Sequence, residues 1–265
     1  MVLMHGVKMT NIRLIILGSG TSIPLPYRAS PSIVMIREDN AVLFDMGPGT
    51  LRQLARLGIS SNRIEHIFIT HFHADHTADL VHFLFVTRNP SIFEVRRPFI
   101  ITGPEGLKGF IGDLQRSYRG WLDIPATLME IEELGLEKPE NRSCRDFDVR
   151  TQALGHTPNS LAYRVSPGGG RSFVYSGDTG FCEEIVTFSK EADVLILECS
   201  FPDGEEVEGH LTPSQAGRIA ALANVKKLVL THFYPEVLRT DIARQCRKSY
   251  HGELVLGRDM LDIAL

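Results

Sequence analysis

The stretch Thr70-His71-Phe72-His73-Ala74-Asp75-His76 places three imidazoles and one carboxylate within six residues. Residues 64–70 are mostly β-branched, aliphatic or aromatic, which is typical of a buried strand, so the cluster begins where a strand ends. Ligands bind at the ends of strands in α/β sheets. Alternation along an extended segment sends the first two histidines to one side, whereas the aspartate and the third histidine, after a turn, reach a second point. The pattern therefore predicts two adjacent metal ions.

A polar loop with solvated histidines is the alternative interpretation of this stretch. It would be preferred for a lone histidine. Ionisable groups that are clustered where a chain leaves a sheet, however, need a compensating partner. The His-x-His-x-Asp-His spacing therefore favours metal binding.

Length and charge limit the function classes. The chain has 265 residues, of which 43% are hydrophobic, and this predicts one large α/β domain over residues 1–265. Its 28 basic and 32 acidic residues give a net charge of -4. Such a balance provides no general attraction for polyanions, so any contact with nucleic acid would be local.

Cysteine spacing and hydropathy predict the compartment. The four cysteines are widely scattered and form no Cys-x-x-Cys pair, which favours free thiols in a reducing cytosol. The opening residues 1–8 lack the apolar core and cleavage site of a signal peptide, and no run approaches the ~20 apolar residues that span a bilayer. We expect a soluble cytoplasmic protein without a membrane partner.

The amino-terminal part is predicted to form three strands and a helix. Strands are predicted at 12–17, 32–36 and 41–45, and a helix runs from the turn at Gly47 to Leu57. Gly18-Ser19-Gly20 does not indicate a dinucleotide site, because the third glycine and the helix expected after it are missing.

Later strands also end in polar residues. Strand patterns at 147–151, 171–175 and 227–231 lead to His156, Asp178 and His232, and the strand at 193–198 ends in Glu198. Since these tips fall on one rim, seven candidates are expected to lie together: His71, His73, Asp75, His76, His156, Asp178 and His232.

The order of an apolar strand followed by Thr-His-Phe occurs twice, at residues 67–72 and 228–233. This short internal repeat fits a four-layer αββα sandwich in which two similar β/α halves meet edge to edge.

These motifs resemble the metallo-β-lactamase superfamily, and in particular its ribonuclease Z-like branch of phosphodiesterases. The likeness covers nearly the whole chain, and its motifs are Leu17-Gly18-Ser19-Gly20-Thr21, the main histidine cluster, Ser176-Gly177-Asp178-Thr179, His210-Leu211-Thr212 and Thr231-His232-Phe233. The resemblance implies an α/β protein with the metallo-β-lactamase fold.

The resemblance also implies how two divalent ions would be held. One ion would bind His71, His73 and His156, the second would bind Asp75, His76 and His232, and Asp178 would bridge them. Two ions ~3.5–4 Å apart can share a hydroxide and lower its pKa, so that it attacks at neutral pH. Histidine ligands suit zinc, although the second site could accept manganese or iron.

Three residues are expected to be catalytic by the same resemblance. His210 belongs to a His-x-Thr motif 22 residues before His232, and could protonate the departing oxygen or stabilise charge on a phosphoryl group. Glu198 would orient this imidazole. Asp75 is expected to be both a metal ligand and a catalytic residue. Asp45 would hydrogen-bond the metal-site loop from behind, the alternative being a surface cap.

Two departures from the ribonuclease Z pattern concern the grip on tRNA. Only 22 residues separate His156 from Asp178, and the turn Pro167-Gly168-Gly169-Gly170 stands where that branch carries a long arm. The family's His-Glu-Ala-Thr reads Leu197-Glu198-Cys199-Ser200, and its Arg-Asn pair reads Arg28-Ala29. We therefore predict a hydrolase of small or cyclic phosphodiesters, with nucleic acid possible but not favoured as a partner.

Other functions remain open. The same metals could serve a sulfatase, a lactonase, a thioesterase or a true ribonuclease Z, the tRNA 3′-endonuclease. A non-catalytic metal-binding or redox-sensing protein is the alternative from another class. Resemblance also suggests a homodimer.

Several polar and aromatic residues are left outside the predicted site. Arg116, Arg119 and Trp121 could form a wall over the substrate, but an amphipathic surface is the preferred interpretation. The remaining histidines are expected to be structural or surface residues: His5, His66, His82 and His251.

Overall fold

Two mixed β-sheets of seven strands each form the centre of the computed structural model, which describes residues 12–265. The strands are β1 (Ile12–Gly18), β2 (Ser32–Arg37), β3 (Asn40–Phe44), β4 (Ile64–Phe68), β5 (Phe99–Pro104), β6 (Met129–Leu134), β7 (Asn141–Cys144), β8 (Phe147–Ala153), β9 (Leu161–Ser166), β10 (Phe173–Tyr175), β11 (Val194–Glu198), β12 (Lys227–Thr231), β13 (Glu253–Leu256) and β14 (Leu261–Ile263). The helices are α1 (Thr50–Arg56), α2 (Ala74–Thr77), α3 (Asp79–Thr87), α4 (Pro90–Phe93), α5 (Leu107–Ser117), α6 (Glu183–Phe188), α7 (Pro213–Leu222) and α8 (Ile242–Cys246).

The two sheets have the same plan. The first has the order β14-β1-β2-β3-β4-β5-β6, and the second has the order β13-β12-β11-β10-β9-β8-β7. In the first sheet the pairs from β14 to β3 are antiparallel and those from β3 to β6 are parallel. In the second sheet the pairs from β13 to β10 are parallel and those from β10 to β7 are antiparallel. The similarity between the two halves of the sequence therefore extends to the topology of the two sheets.

The sheets pack face to face through an aromatic core. Phe44 of β3 stacks on Phe68 of β4 with ring centroids 5.3 Å apart, and it meets Phe173 of β10 edge-on at 5.5 Å. Tyr163 of β9 lies 5.2 Å from Phe68. The expectation that the halves meet edge to edge is wrong, because the central strands are apolar on both faces and each sheet can bury its inner face only against the other.

Helices cover the outer faces of both sheets. Leu54 of α1, Phe83 of α3 and Ile111 of α5 belong to the core outside the first sheet. Ile185 of α6 and Ile219 of α7 belong to the corresponding core outside the second. The predicted αββα sandwich is confirmed.

Local signals explain where α7 begins. The Thr212 side chain accepts a hydrogen bond from the backbone N–H of Gln215, the Gln215 side chain accepts from the backbone N–H of Thr212, and Pro213 occupies the first helical position. This capping box fixes the chain directly after His210.

Two other expectations concern the chain as a whole, and a third concerns a single histidine. All four cysteines are free. Within residues 12–265 no helix combines the length and the apolar character needed to cross a membrane. His5 lies outside the described residues.

Candidate metal centre

The seven predicted ligands lie at one edge of the sandwich, beyond the carboxyl ends of strands from both sheets. His71 and His73 follow β4, which ends at Phe68 rather than at the predicted Thr70, so they lie in an irregular segment instead of an alternating strand. Asp75 and His76 lie in the single-turn helix α2, which the sequence did not predict. The other three candidates follow strands of the second sheet: His156 after β8, Asp178 after β10 and His232 after β12.

The seven candidates fall into two groups, and within each group the ligand atoms lie within 4.8 Å of one another; a third such group joins His210 to Asp178 and His232. The first group consists of His71, His73, His156 and Asp178. The second group consists of Asp75, His76 and His232. This division is the one expected from the sequence, and each group has enough donors for a divalent ion.

Asp178 lies between the two groups. Its Oδ2 atom is 3.8 Å from Nε2 of His71 and 3.6 Å from Nε2 of His156. Its Oδ1 atom is 3.2 Å from Nε2 of His76 and 3.2 Å from Nε2 of His232. Each carboxylate oxygen therefore faces one group, as a bridging ligand would.

Four of the imidazoles are oriented by a hydrogen bond at Nδ1. The acceptors are Thr70 Oγ1 for His71 at 3.0 Å, Asp45 Oδ2 for His76 at 2.7 Å, the Gly209 carbonyl for His156 at 2.9 Å and Ser200 Oγ for His232 at 2.9 Å. A neutral imidazole carries a single N–H, and these acceptors place it on Nδ1. In the neutral rings Nε2 is therefore free to bind a cation. At His76 burial is outweighed by the charges of Asp178 and Asp45, which raise its pKa well above 6.5, so a cation there would replace the proton on Nε2.

Two buried atoms in the cluster lack a hydrogen-bond partner, namely Nε2 of His71 and Oδ1 of Asp178. Burial, together with the neighbouring charge of His76, lowers the pKa of His71 well below 6.5, so this ring is neutral. Orphaned buried polar atoms are uncommon in native proteins. One divalent cation in each group would satisfy these atoms, the first at Nε2 of His71 and the second at Oδ1 of Asp178, so the residues present fit a metal centre.

Asp45 supports this cluster from behind, as the resemblance implied. Its buried carboxylate accepts hydrogen bonds from the backbone N–H of Thr70 at 2.8 Å, from the Thr70 hydroxyl at 2.9 Å and from Nδ1 of His76. The hydroxyl of Tyr175 donates to it at 2.8 Å. Sequence reasoning missed Tyr175, which has the pattern of an ordinary core aromatic at the end of a strand.

His210 lies beside the ligand groups and contacts Glu198. Its Nδ1 atom is 2.9 Å from Oε1 of Glu198, and it is 3.3 Å from the hydroxyl of Ser200. Burial lowers the pKa of His210, but the hydrogen bond to Glu198 and its charge outweigh burial and raise that pKa above 6.5. Ser200 donates to Oε2 of Glu198 at 2.5 Å and accepts from His232, so it links the carboxylate to a candidate ligand. Sequence reasoning noted Ser200 only as a departure from a family motif.

The polar and aromatic residues that were not predicted to belong to the site make other contacts. Arg116 pairs with Asp113 on the exposed face of α5, and Trp121 packs on Phe85 with centroids 6.3 Å apart. Both observations agree with an amphipathic surface. His66 is buried, whereas the other two described histidines outside the cluster are exposed: His82 and His251.

Comparison with known proteins identifies the family. Residues 40–233 match the model of the β-lactamase superfamily domain. The chain belongs to the metallo-β-lactamase superfamily. It is therefore assigned to a superfamily of hydrolases whose fold implies divalent metal ions.

Within this superfamily the chain is similar to ribonuclease Z. It is 29% identical to ribonuclease Z from Thermoplasma acidophilum over 96% of both chains. The crystal structure of the short form of human tRNase Z superimposes with a TM-score of 0.76 at 28% identity, covering 95% of this chain and 98% of the human one. The metallo-β-lactamase fold protein YhfI from Bacillus subtilis shares the fold, with a TM-score of 0.81, 21% identity and coverage of 95% and 98%. These similarities confirm the predicted resemblance.

Proposed function

We propose that this chain is a metal-dependent phosphodiesterase that acts on small or cyclic phosphodiesters. Zinc is the first choice for its two ions, because most of the donors are imidazole nitrogens. Its similarity to a ribonuclease Z supports the bond type, since ribonucleases act on phosphodiesters.

The chain's own residues would hold the ions and fix their surroundings. His71, His73 and His156 would bind one ion, Asp75, His76 and His232 would bind the other, and Asp178 would contact both. When bound, two such ions supply an activated water and neutralise charge on the phosphoryl oxygens.

The contact between His210 and Glu198 is the observation that carries the choice of a phosphodiester. The metal ligands alone would serve a sulfatase, a lactonase or a thioesterase equally well. A phosphodiester has a poor alkoxide leaving group that needs a proton, whereas the thiolate of a thioester leaves without one. A lactone or an alkyl sulfate shares this need, and the similarity to ribonuclease Z favours the phosphodiester over these two. Glu198 holds Nδ1 of His210 and raises its pKa, which favours the protonated ring, so that His210 can give a proton to the oxygen as the P–O bond breaks.

Two features of the chain support a small substrate. β9 and β10 are joined by a tight turn at residues 167–172, and no additional element lies between these two strands. The net charge of -4 provides no general attraction for a long polyanion.

A ribonuclease Z that acts on tRNA is the second candidate. It is supported by the similarity to ribonuclease Z over 96% of the chain. The tight turn between β9 and β10 argues against this candidate, because the arm associated with tRNA binding would occupy that position.

Purified protein loaded with zinc or manganese should separate these candidates. It should be assayed on bis(p-nitrophenyl) phosphate, a cyclic nucleotide, p-nitrophenyl sulfate, a lactone and a tRNA with a 3′ extension. We expect turnover of the diesters that a chelator abolishes and added metal restores. Turnover of the sulfate ester or the lactone without the diesters would refute the proposal, and preference for the tRNA would favour the second candidate.

A further inference from the structure

We propose that Phe201 and Tyr234 form a stacking subsite for the nucleobase of a nucleoside phosphodiester. This inference rests on the proposed function and specifies its substrate class. It places the base on the His210 side of the metal centre.

The two rings form a parallel pair directly beside the catalytic histidine. Phe201 and Tyr234 stack with centroids 4.7 Å apart and an interplanar angle of 21°. Phe201 meets the His210 ring at 5.6 Å, and Tyr234 meets His210 at 6.1 Å and His232 at 5.7 Å. The pair therefore borders both the candidate proton donor and a candidate metal ligand.

Both rings are partly exposed, unlike the aromatic side chains between the sheets. Each ring covers one face of the other, and stacking of this kind leaves a planar apolar surface for a third ring. The hydroxyl of Tyr234 lies 3.2 Å from that of Ser22, which anchors the ring to the loop after β1. The pair is thus held in place without being enclosed.

Two exposed apolar residues are linked to this site through the backbone or a chain neighbour. Ile23, next to Ser22, is 46% exposed, and Val207, whose carbonyl accepts from the N–H of His210, is 42% exposed. Exposed apolar groups clustered beside a polar site indicate a binding surface. A base has two apolar faces and polar edges, so it suits such a surface better than a phosphate backbone does.

The position of the pair assigns the base to the leaving group. His210 would protonate the oxygen that departs, so a group attached through that oxygen would lie next to Phe201 and Tyr234. In a 3′,5′-cyclic nucleotide the departing oxygen belongs to the ribose that carries the base, and a single nucleoside could meet both requirements.

The test compares two cyclic diesters that differ only in the base. One is 3′,5′-cyclic AMP, and the other is the cyclic 3′,5′-phosphate of methyl riboside, in which a methoxy group replaces adenine. Phe201→Ala and Tyr234→Ala should lower kcat/KM for the first by about ten- to hundredfold, mainly through KM, because stacking contributes this much per base. Turnover of the base-free diester should change little.

Three variants serve as controls. Tyr234→Phe keeps the ring and should keep the preference for the base. Trp121→Ala removes an aromatic side chain that is 62% exposed and packs on Phe85, and it should behave as wild type. Phe201→Leu keeps an apolar side chain without a ring face, and it replaces Phe201→Ala if that variant does not fold.

Equal losses on both diesters, or no loss on either, would overturn the stacking subsite while leaving the phosphodiesterase proposal intact. If the wild type hydrolyses neither these diesters nor bis(p-nitrophenyl) phosphate, the proposed function fails, and calorimetric binding of AMP and ribose 5-phosphate decides the subsite. Tighter binding of AMP that disappears in Tyr234→Ala would support the subsite, and equal binding of the two would refute it.

Discussion

The Oδ2 atom of Asp45 lies 2.7 Å from Nδ1 of His76, and both side chains are fully buried. Asp45 follows β3, whereas His76 lies in α2, so this contact ties the metal-site loop to the first sheet. Asp45 adopts a φ of 60°, which is unfavourable for a residue other than glycine. Its hydrogen bonds compensate for this strain, and they direct Nε2 of His76 towards Asp178.

Replacing Asp45 with alanine should weaken metal binding. His76 Nδ1 and the backbone N–H of Thr70 would lose their acceptor, and the imidazole would no longer be oriented. We expect metal affinity to fall about 10- to 100-fold, as measured by competition with a chelator. Tyr175→Phe removes one donor to the same carboxylate and should cause a smaller loss. Wild-type affinity in Asp45→Ala would contradict the supporting role.

Gly177→Ala should destabilise the protein more than Gly169→Ala does. Gly177 has a φ of 59°, and a Cβ there would lie 2.7 Å from Cβ of Thr70. Gly169 has a φ of 69° but nothing within 4 Å of a Cβ, so alanine there has only the cost of the left-handed backbone, about 1–2 kcal/mol. Denaturant unfolding should show the larger loss for Gly177→Ala, together with weaker metal binding through the adjacent Asp178. Equal losses would show that the contact with Thr70 relaxes freely.

The elements that sequence reasoning predicted have strong local signals. The central strand β11 begins with four consecutive apolar residues, and α7 has a capping box at its start. The edge strands β6 and β7 were not predicted. β6 contains three glutamates and β7 reads Asn-Arg-Ser-Cys, so these strands form through pairing with their neighbours rather than through apolar patterning.

The candidate site likewise has a part that the sequence predicts and a part that it does not. Its ligand types and spacing are visible in the chain, because each histidine or aspartate follows a strand. The groups that orient the ligands are not visible. Tyr175 reaches Asp45 across 130 positions, and Ser200 reaches His232 across 32, so neither contact has a local signature. Only the stacking of the two sheets brings Tyr175 and Asp45 together.

His210→Ala should slow turnover without removing metal. If His210 is the proton donor, kcat on an alkyl phosphodiester should fall about 10²- to 10⁴-fold, while the metal content of the purified variant stays at the wild-type level. Glu198→Gln should cause a loss in the same direction, because a neutral amide no longer raises the pKa of His210. His82→Ala, at an exposed position on α3, is the matched control. Loss of metal in His210→Ala would make His210 a ligand, which its closeness to Asp178 and His232 permits.

Stability below neutral pH should depend on His66, which lies apart from the metal centre. Burial, assisted by the charge of Arg142, lowers the pKa of His66 from 6.5 to about 3. Its ring stacks on Phe68 at 4.0 Å, and Nε2 lies 2.7 Å from the hydroxyl of Thr102. The folded state therefore keeps this imidazole neutral at pH values where the unfolded state protonates it. The stability from this difference is fully present above pH 6.5 and is lost as the pH falls towards the folded pKa.

The variant His66→Phe isolates this effect, because it keeps an aromatic ring against Phe68 and has no proton to bind. Below pH 6.5 the wild-type free energy of unfolding should fall relative to that of the variant by up to about 1.4 kcal/mol per pH unit. Urea unfolding at pH 7, 6 and 5 measures the difference, with the exposed His251→Gln as a control expected to follow the wild type. Parallel curves for wild type and His66→Phe would show that His66 is protonated as easily in the folded protein as in the unfolded chain.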